Sequence, residues 1–187
     1  AELESPLVIA VNQMDLAAQK GITIDTARLG EILGVPVVPT IAIQGKGIAE
    51  LSDTIVTVLK TRPRPHVIPY GREVEDRIGK IAALIPEQPG GEDRRAAAIR
   101  LLERGPVEPA GPGGTGAELA AAVRQYSTEL ERMHGEPAAI VLSGERYHAA
   151  ERIVREVMDI RPPTPDDIPL SDQIDRFALH PVLGYLL

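Results

Sequence analysis

The sequence predicts an α/β segment built on two parallel strands with helices, followed by an all-α segment. Three observations lead there. Near the start, short apolar β-branched runs alternate with stretches of helical period, the pattern of βαβ units. Past residue 70 the apolar residues recur only at helical spacing. Between the two, Pro63-Arg64-Pro65-His66-Val67-Ile68-Pro69 is proline-rich enough to be a stiff, extended linker, with His66 as a solvated member of it.

The first run, Leu7-Val8-Ile9-Ala10-Val11, has Pro6 before it and the polar turn Asn12-Gln13-Met14-Asp15 after it. Its length and branching are those of a buried parallel strand. Lys20-Gly21-Ile22-Thr23-Ile24-Asp25 leads into a helix that Asp25 caps, with Leu29, Ile32 and Leu33 on one face. Gly34 is placed to end that helix in the left-handed conformation. Val35-Pro36-Val37-Val38-Pro39-Thr40-Ile41-Ala42 is a second short strand. Gln44-Gly45-Lys46-Gly47 then opens a helix to about Leu59 that should bury Ile48, Leu51, Ile55, Val56 and Leu59. Residues 1–62 therefore read strand, helix, strand, helix, with a right-handed crossover. Two parallel strands cannot cover their own faces and edges, so the expectation is that part of the sheet lies upstream.

Helices are expected at about 73–84, 92–103, 117–133 and 145–158. Leu119, Val123, Tyr126 and Leu130 form a packing stripe on the third. Tyr147, Ile153, Val154 and Val157 should face inward on the fourth, with His148 exposed. Segment 104–116, rich in Gly and Pro, reads as a mobile loop. Arg161-Pro162-Pro163-Thr164-Pro165 is a break, and Ser171 or Asp172 could cap a short helix before the apolar end at residues 181–187.

Composition narrows the function. The chain of 187 residues is 43% hydrophobic but only 3% aromatic, so its core must be aliphatic. A net charge of −7 argues against a nucleic-acid binder, which needs a basic face. The absence of cysteine excludes disulfides and thiolate metal sites. No apolar run has the length to span a bilayer.

Asn12 and Asp15 fall at the carboxyl end of a predicted strand, where open α/β sheets bind ligands. Asn can bridge loops and donate to a purine ring. An ionised Asp only accepts, and can take the ring N–H and the exocyclic amine of guanine together; adenine offers no such pair on that edge. This is how Asn-x-x-Asp works in GTP-binding proteins. The same residue types also make an Asx-type turn, and the residues alone leave both readings open. In GTP-binding folds the next strand ends in a Ser-Ala-Lys-like loop whose backbone N–H meets the guanine oxygen; here it reads Thr40-Ile41-Ala42-Ile43. The candidate guanine-binding residues are thus Asn12, Gln13, Asp15, Thr40, Ile41 and Ala42, with Ala42 as the backbone donor. Gln13 stands where many such proteins place a Lys whose stem covers the base. Ile41 replaces the usual Ser, which should weaken the loop that props Asp15. The phosphate loop Gly-x-x-x-x-Gly-Lys-Ser/Thr has only a poor match in Gly111-Pro112-Gly113-Gly114-Thr115-Gly116, followed by Ala117 and Glu118; a linker is the better reading of it. Neither a Thr switch nor an Asp-x-x-Gly that reaches magnesium is expected, and no catalytic or metal-binding residue is assigned.

At this point the sequence resembles the FeoB-type ferrous iron transport proteins. The resemblance runs through Asn12 to Asp15, Lys20-Gly21-Ile22, Leu33-Gly34-Val35-Pro36-Val37-Val38-Pro39-Thr40 and Gly45-Lys46-Gly47-Ile48. It returns in Arg146-Tyr147, Ile153-Val154-Arg155-Glu156-Val157, Leu170-Ser171-Asp172-Gln173-Ile174-Asp175-Arg176 and Leu179-His180-Pro181-Val182-Leu183-Gly184. It implies that residues 1–62 are the C-terminal half of a Ras-like G domain and that 63–69 are a linker. Residues 70–160 would be a helical domain that regulates nucleotide release. Residues 161–187 would be a juxtamembrane segment before the first transmembrane helix. The implied ligand is GTP or GDP, with magnesium in the intact parent but no magnesium ligands in this chain. The implied partners are the missing upstream G-domain half and a downstream transmembrane domain, with no nucleic acid. The implied place is the cytoplasmic face of the cell membrane. The parent would be a GTPase, and this truncated chain alone should not turn over GTP. Two rivals stand beside this: a fragment of another GTPase with a fused helical domain, and a non-catalytic helical interaction module.

Overall fold

The computed structural model describes residues 5–86, 93–106 and 114–161. The α/β part runs β1 (Ile9–Val11), α1 (Met14–Gln19), β2 (Ile22–Ile24), α2 (Thr26–Leu33), β3 (Val37–Pro39), a 3-10 turn (Ala42–Gln44) and α3 (Ile48–Thr61). The helical part follows as α4 (Arg72–Leu84), α5 (Arg94–Arg104), α6 (Thr115–His134) and α7 (Ala138–Val157), closed by β4 (Met158–Ile160).

β1 and β3 are parallel, with Ile9 opposite Val37 and Val11 opposite Pro39, as the two apolar runs require. The α2 crossover between them begins at Asp25, whose side chain accepts from the Arg28 amide at 2.8 Å. It ends at Gly34 with φ 66°. A Cβ there would lie 2.5 Å from Cδ2 of His66, so glycine serves both the turn and the approach of the linker. His66 is not a free linker residue: its N–H donates to the Leu33 carbonyl at 2.8 Å, and its Nδ1 lies 3.3 Å from the Ile32 carbonyl.

The strand–helix–strand–helix reading of residues 1–62 misses two elements. α1 is six residues long, less than two turns, and shows no periodicity to detect. β2 is three residues long and has its partner far along the chain. It pairs antiparallel with β4, Ile22 opposite Ile160 and Ile24 opposite Met158. The ladder continues in Asp25 N–H to Val157 O at 2.7 Å and Arg161 N–H to Gly21 O at 2.8 Å. The helical part thus returns to the α/β part as a strand.

The core sits in the helical part. Val74, Ile78 and Ile81 of α4, Ala98, Ile99 and Leu102 of α5, Val123 and Leu130 of α6, and Val141 and Leu142 of α7 are buried together with Tyr70. Arg95 stacks its guanidinium over Tyr70 at 5.3 Å and pairs with Glu75 at 2.5 Å. Glu75 also accepts from the Tyr70 amide at 2.7 Å, which fixes the entry to α4. α7 begins at Ala138, earlier than the spacing implied, because Pro137 at its N-cap presets the first turn.

Two expected packings are corrected. On α3 only Val58 is buried; Ile48, Ile55, Val56 and Leu59, the last 63% exposed, face outward. β1 is likewise only half-buried, since β3 is its one strand partner among the described residues. On α7 the buried face is Ala138, Val141, Leu142, Ala149 and Val157. That puts Tyr147, 76% exposed, and Val154 on the outer side; His148 is exposed. The Gly- and Pro-rich reading of 107–113 and the short helix proposed after Ser171 lie outside the described residues.

Candidate functional site

The carboxyl ends of β1 and β3 lie side by side, because the two strands are parallel and in register. β1 ends into Asn12, and β3 ends into Thr40. Thr40 is 3% exposed. Its N–H donates to the Val11 carbonyl at 2.8 Å, and its hydroxyl donates to Asn12 Oδ1 at 3.2 Å. The Ala42 amide donates to the same oxygen at 3.1 Å. Asn12 therefore clamps the loop after β3 with one oxygen, while its Nδ2 makes no hydrogen bond among the described residues.

Gln13 follows with φ 62° and ψ 36°, the left-handed region, which costs a non-glycine residue about 1–2 kcal/mol. Such strain is held where the surroundings demand it. Here it turns the chain sharply from strand into α1, so that Asp15 falls in the first turn, where the helix N-terminus favours a carboxylate. Across the site, Ile41 and Lys46 form an isolated antiparallel bridge, with Gly45 and Gly47 at φ 69° and 77°. A Cβ on Gly47 would sit 2.3 Å from the Pro39 carbonyl oxygen. This tight hairpin holds the 3-10 turn against α1, and Gln44 Nε2 reaches Asp15 Oδ2 at 3.5 Å.

These elements enclose a cavity of about 250 Å³ lined by Asn12, Gln13, Asp15, Leu16, Gln19, Ile41, Ala42 and Ile43. Five of the six predicted residues line it. Thr40 does not: it is buried behind Asn12 and braces it. Ala42 lines the cavity, and its N–H, the expected backbone donor, donates to Asn12 Oδ1 in this structure. The next amide, that of Ile43, has no acceptor among the described residues. Ile43 stood in the loop string Thr40-Ile41-Ala42-Ile43 but not among the assigned residues. Leu16, Gln19 and Gln44 were missed: no motif marks them, and only the short α1 and the hairpin bring them to the site.

A larger groove of about 730 Å³ runs along α3 beside Pro36 and Pro63. Its Thr57 and Thr61 hydroxyls donate to carbonyls of their own helix at 2.9 and 3.0 Å, so it offers methyl groups rather than converging donors. Among the described residues no group of acidic or His side chains is arranged to hold a metal. The string Asp76-Arg77-Ile78-Gly79 has the spacing Asp-x-x-Gly but lies inside α4, where Asp76 pairs with Lys80 at 2.7 Å. No described helix is long and apolar enough to cross a membrane.

Comparison with known proteins matches both parts. The family model "Ferrous iron transport protein B" covers residues 1–55, and "FeoB cytosolic helical domain" covers residues 70–159. A Porphyromonas gingivalis protein described as an Fe(2+) transport protein A/Fe(2+) transporter FeoB fusion is 30% identical over the whole chain, which spans 23% of that relative. The Escherichia coli K12 Fe(2+) transporter FeoB is 24% identical over 98% of the chain, again 23% of the relative. The chain thus spans about a quarter of the length of these relatives. Among solved structures, the GDP-bound A143S mutant of the S. thermophilus FeoB G-domain superposes on 84% of the chain with a TM-score of 0.68 at 22% identity, the chain covering 61% of it. The mGMPPNP-bound S. thermophilus NFeoB superposes on 83% with a TM-score of 0.64 at 25% identity, the chain covering 58% of it. With family models on both of its parts, in chain order, and a FeoB relative aligned along its full length, the chain belongs to the FeoB family of ferrous iron transport proteins.

Proposed function

We propose that the chain is the guanine-reading half of a FeoB GTP-binding domain joined to its helical regulatory domain, and that it serves a ferrous iron transporter on the cytoplasmic face of the membrane. The boundaries follow as residues 1–62, a linker at 63–69, the helical domain at 70–160 and a juxtamembrane segment at 161–187. The observation that carries the reading is that Asn12, Asp15 and Ile43 line one small cavity. Its volume of about 250 Å³ lies below the roughly 300–1,000 Å³ of sites that enclose a drug-sized ligand, so it suits a base better than a whole nucleotide.

In this reading Asp15 accepts the N1–H and the 2-amino group of guanine, a pair of charge-assisted hydrogen bonds. Asn12 Nδ2 donates to the purine ring, and the Ile43 amide takes over from Ala42 as donor to the carbonyl oxygen. Gln13 and Leu16 flank the ring. The residues present fit the base. They do not fit phosphates or magnesium: the 187 residues hold no Gly-x-x-x-x-Gly-Lys-Ser/Thr, so no step of phosphoryl transfer is assigned to them, and the phosphate site belongs to an upstream G-domain half. The helical domain acts on the same site through β4. β2 follows α1 directly, α1 carries Asp15, and β4 holds β2 by a ladder braced by Arg28, whose Nε donates to Glu156 at 2.8 Å.

The test is nucleotide binding by the full-length gene product. GDP should bind and ADP should not compete with it. Equal affinity for GDP and ADP would remove the guanine reading and favour the turn reading of Asn12 to Asp15.

A further inference from the structure

We propose that Gln44 is a positioning residue for Asp15, supplying from the 3-10 turn the prop that the sequence leaves vacant at Ile41; the proposal rests on the guanine reading of the site. Both polar residues of the Asn-x-x-Asp stretch are tied to the loop after β3, at points two residues apart. Asn12 Oδ1 takes the Ala42 amide at 3.1 Å, and Asp15 Oδ2 takes the Gln44 side-chain amide at 3.5 Å. Ile41 cannot play this part, having no polar side chain, and its backbone is spent on the hairpin: its N–H donates to Lys46 O at 3.1 Å and its carbonyl accepts from Gln44 N–H at 2.9 Å.

The geometry explains why a residue three places further on can reach back. The bridge between Ile41 and Lys46, with the left-handed Gly45 closing the 3-10 turn, folds the loop so that Gln44 lies over α1. The Ile43 side chain is 91% exposed. A carboxylate in the first turn of a helix is otherwise free to rotate about its last bond. One donor on Oδ2 fixes its plane and leaves acceptor positions on both oxygens for a two-donor base edge. At 3.5 Å the contact is long for N–H···O; polar contacts around a site commonly tighten when the ligand arrives.

GDP and IDP separate orientation from simple presence of the carboxylate, because IDP lacks the 2-amino group and keeps the ring N–H. On the full-length gene product, calorimetric titration of Gln44→Leu should lower GDP affinity about tenfold, the lower end for a hydrogen bond to a charged group. IDP affinity should change much less, so the GDP/IDP preference shrinks. Gln44→Glu should shrink it further, by setting acceptor against acceptor. Gln44 is exposed, so neither change threatens the fold, and a merely structural role would move the melting temperature and leave the preference intact. An unchanged GDP/IDP preference in both variants, alongside a collapsed one in Asp15→Asn, would overturn the positioning of Asp15 by Gln44 while keeping the guanine reading. An unchanged preference in Asp15→Asn as well would overturn both.

Discussion

Removing the Asn12 side chain tests whether the clamp across the site is what holds the loop after β3. Asn12→Ala deletes an oxygen that accepts two hydrogen bonds, from Thr40 Oγ1 at 3.2 Å and from Ala42 N–H at 3.1 Å. The two losses differ in kind. Ala42 is exposed, and its amide regains a partner from water, so that loss costs about 0.5–1 kcal/mol. Thr40 is 3% exposed and keeps only a 3.5 Å contact with the Val11 carbonyl, so its stranded hydroxyl costs about 1–2 kcal/mol. The sum, about 2 kcal/mol, is expected as faster native-state hydrogen exchange at the Thr40, Ala42 and Met14 amides. Exchange in α4–α7 should not change, because that core is separate. Thr40→Val removes the stranded donor with little change of shape. The double variant Asn12→Ala/Thr40→Val should therefore be less destabilised than the sum of the singles by about 1 kcal/mol. Strict additivity, or unchanged exchange in Asn12→Ala, would refute the clamp.

Three further outcomes follow from the geometry. Gly47→Ala should destabilise the α/β part by about 2 kcal/mol or more, combining left-handed strain with a clash on the Pro39 carbonyl, whereas Gly45→Ala, with nothing within 4 Å of the new Cβ, should cost about 1 kcal/mol; equal effects in urea melts would contradict this. Arg28→Glu should speed exchange at the β2 amides by repelling Glu156 and Glu31, and Arg28→Glu/Glu156→Arg should restore part of the protection, Glu31 still facing a like charge, with the difference fading in high salt; a swap no better protected than Arg28→Glu alone would show that the pair with Glu156 does not brace the ladder. In acid, Asp76 is held below its usual carboxyl range by its hydrogen bond to Lys80, and Glu129 below its own by Gln125 and then Arg77. A lowered folded-state pKa gives stability that is present above the unfolded value, near 4, and lost as pH falls through the folded one, so the helical part should soften below about pH 4, and less steeply in Asp76→Asn, when followed by circular dichroism.

The parts legible in the sequence were those with local causes. Asp25 and Gly34 delimit α2 because a cap and a left-handed glycine act within one turn. The two apolar runs became β1 and β3 in parallel register. The stripe Val123 and Leu130 on α6 is fully buried. What stayed hidden depends on partners far along the chain. β2 and β4 are three residues each and exist as strands only because they meet each other. The outward turn of Tyr147 and Leu59 reflects which face found a neighbour, which periodicity does not specify. At the site, Asn12 and Asp15 were legible from their type and spacing. The committed amide of Ala42, the burial of Thr40 and the reach of Gln44 follow from a hairpin whose bend rests on Gly45 and Gly47.

Whether Asp15 reads a guanine base is decided by titrating Asp15→Asn with GDP and XDP. Asp15→Asn keeps the size but turns one acceptor into a donor, which then faces the 2-amino group of guanine donor to donor. Mismatched polar groups cost on the order of 1–3 kcal/mol each, more where a charge was involved. Calorimetry on the full-length gene product should show GDP affinity falling by roughly two to four powers of ten. XDP, with a carbonyl in place of the amino group, should bind the variant better than the parent. If Asp15→Asn binds GDP as tightly as the parent and gains nothing for XDP, Asn12 to Asp15 is a turn and the site reads no base.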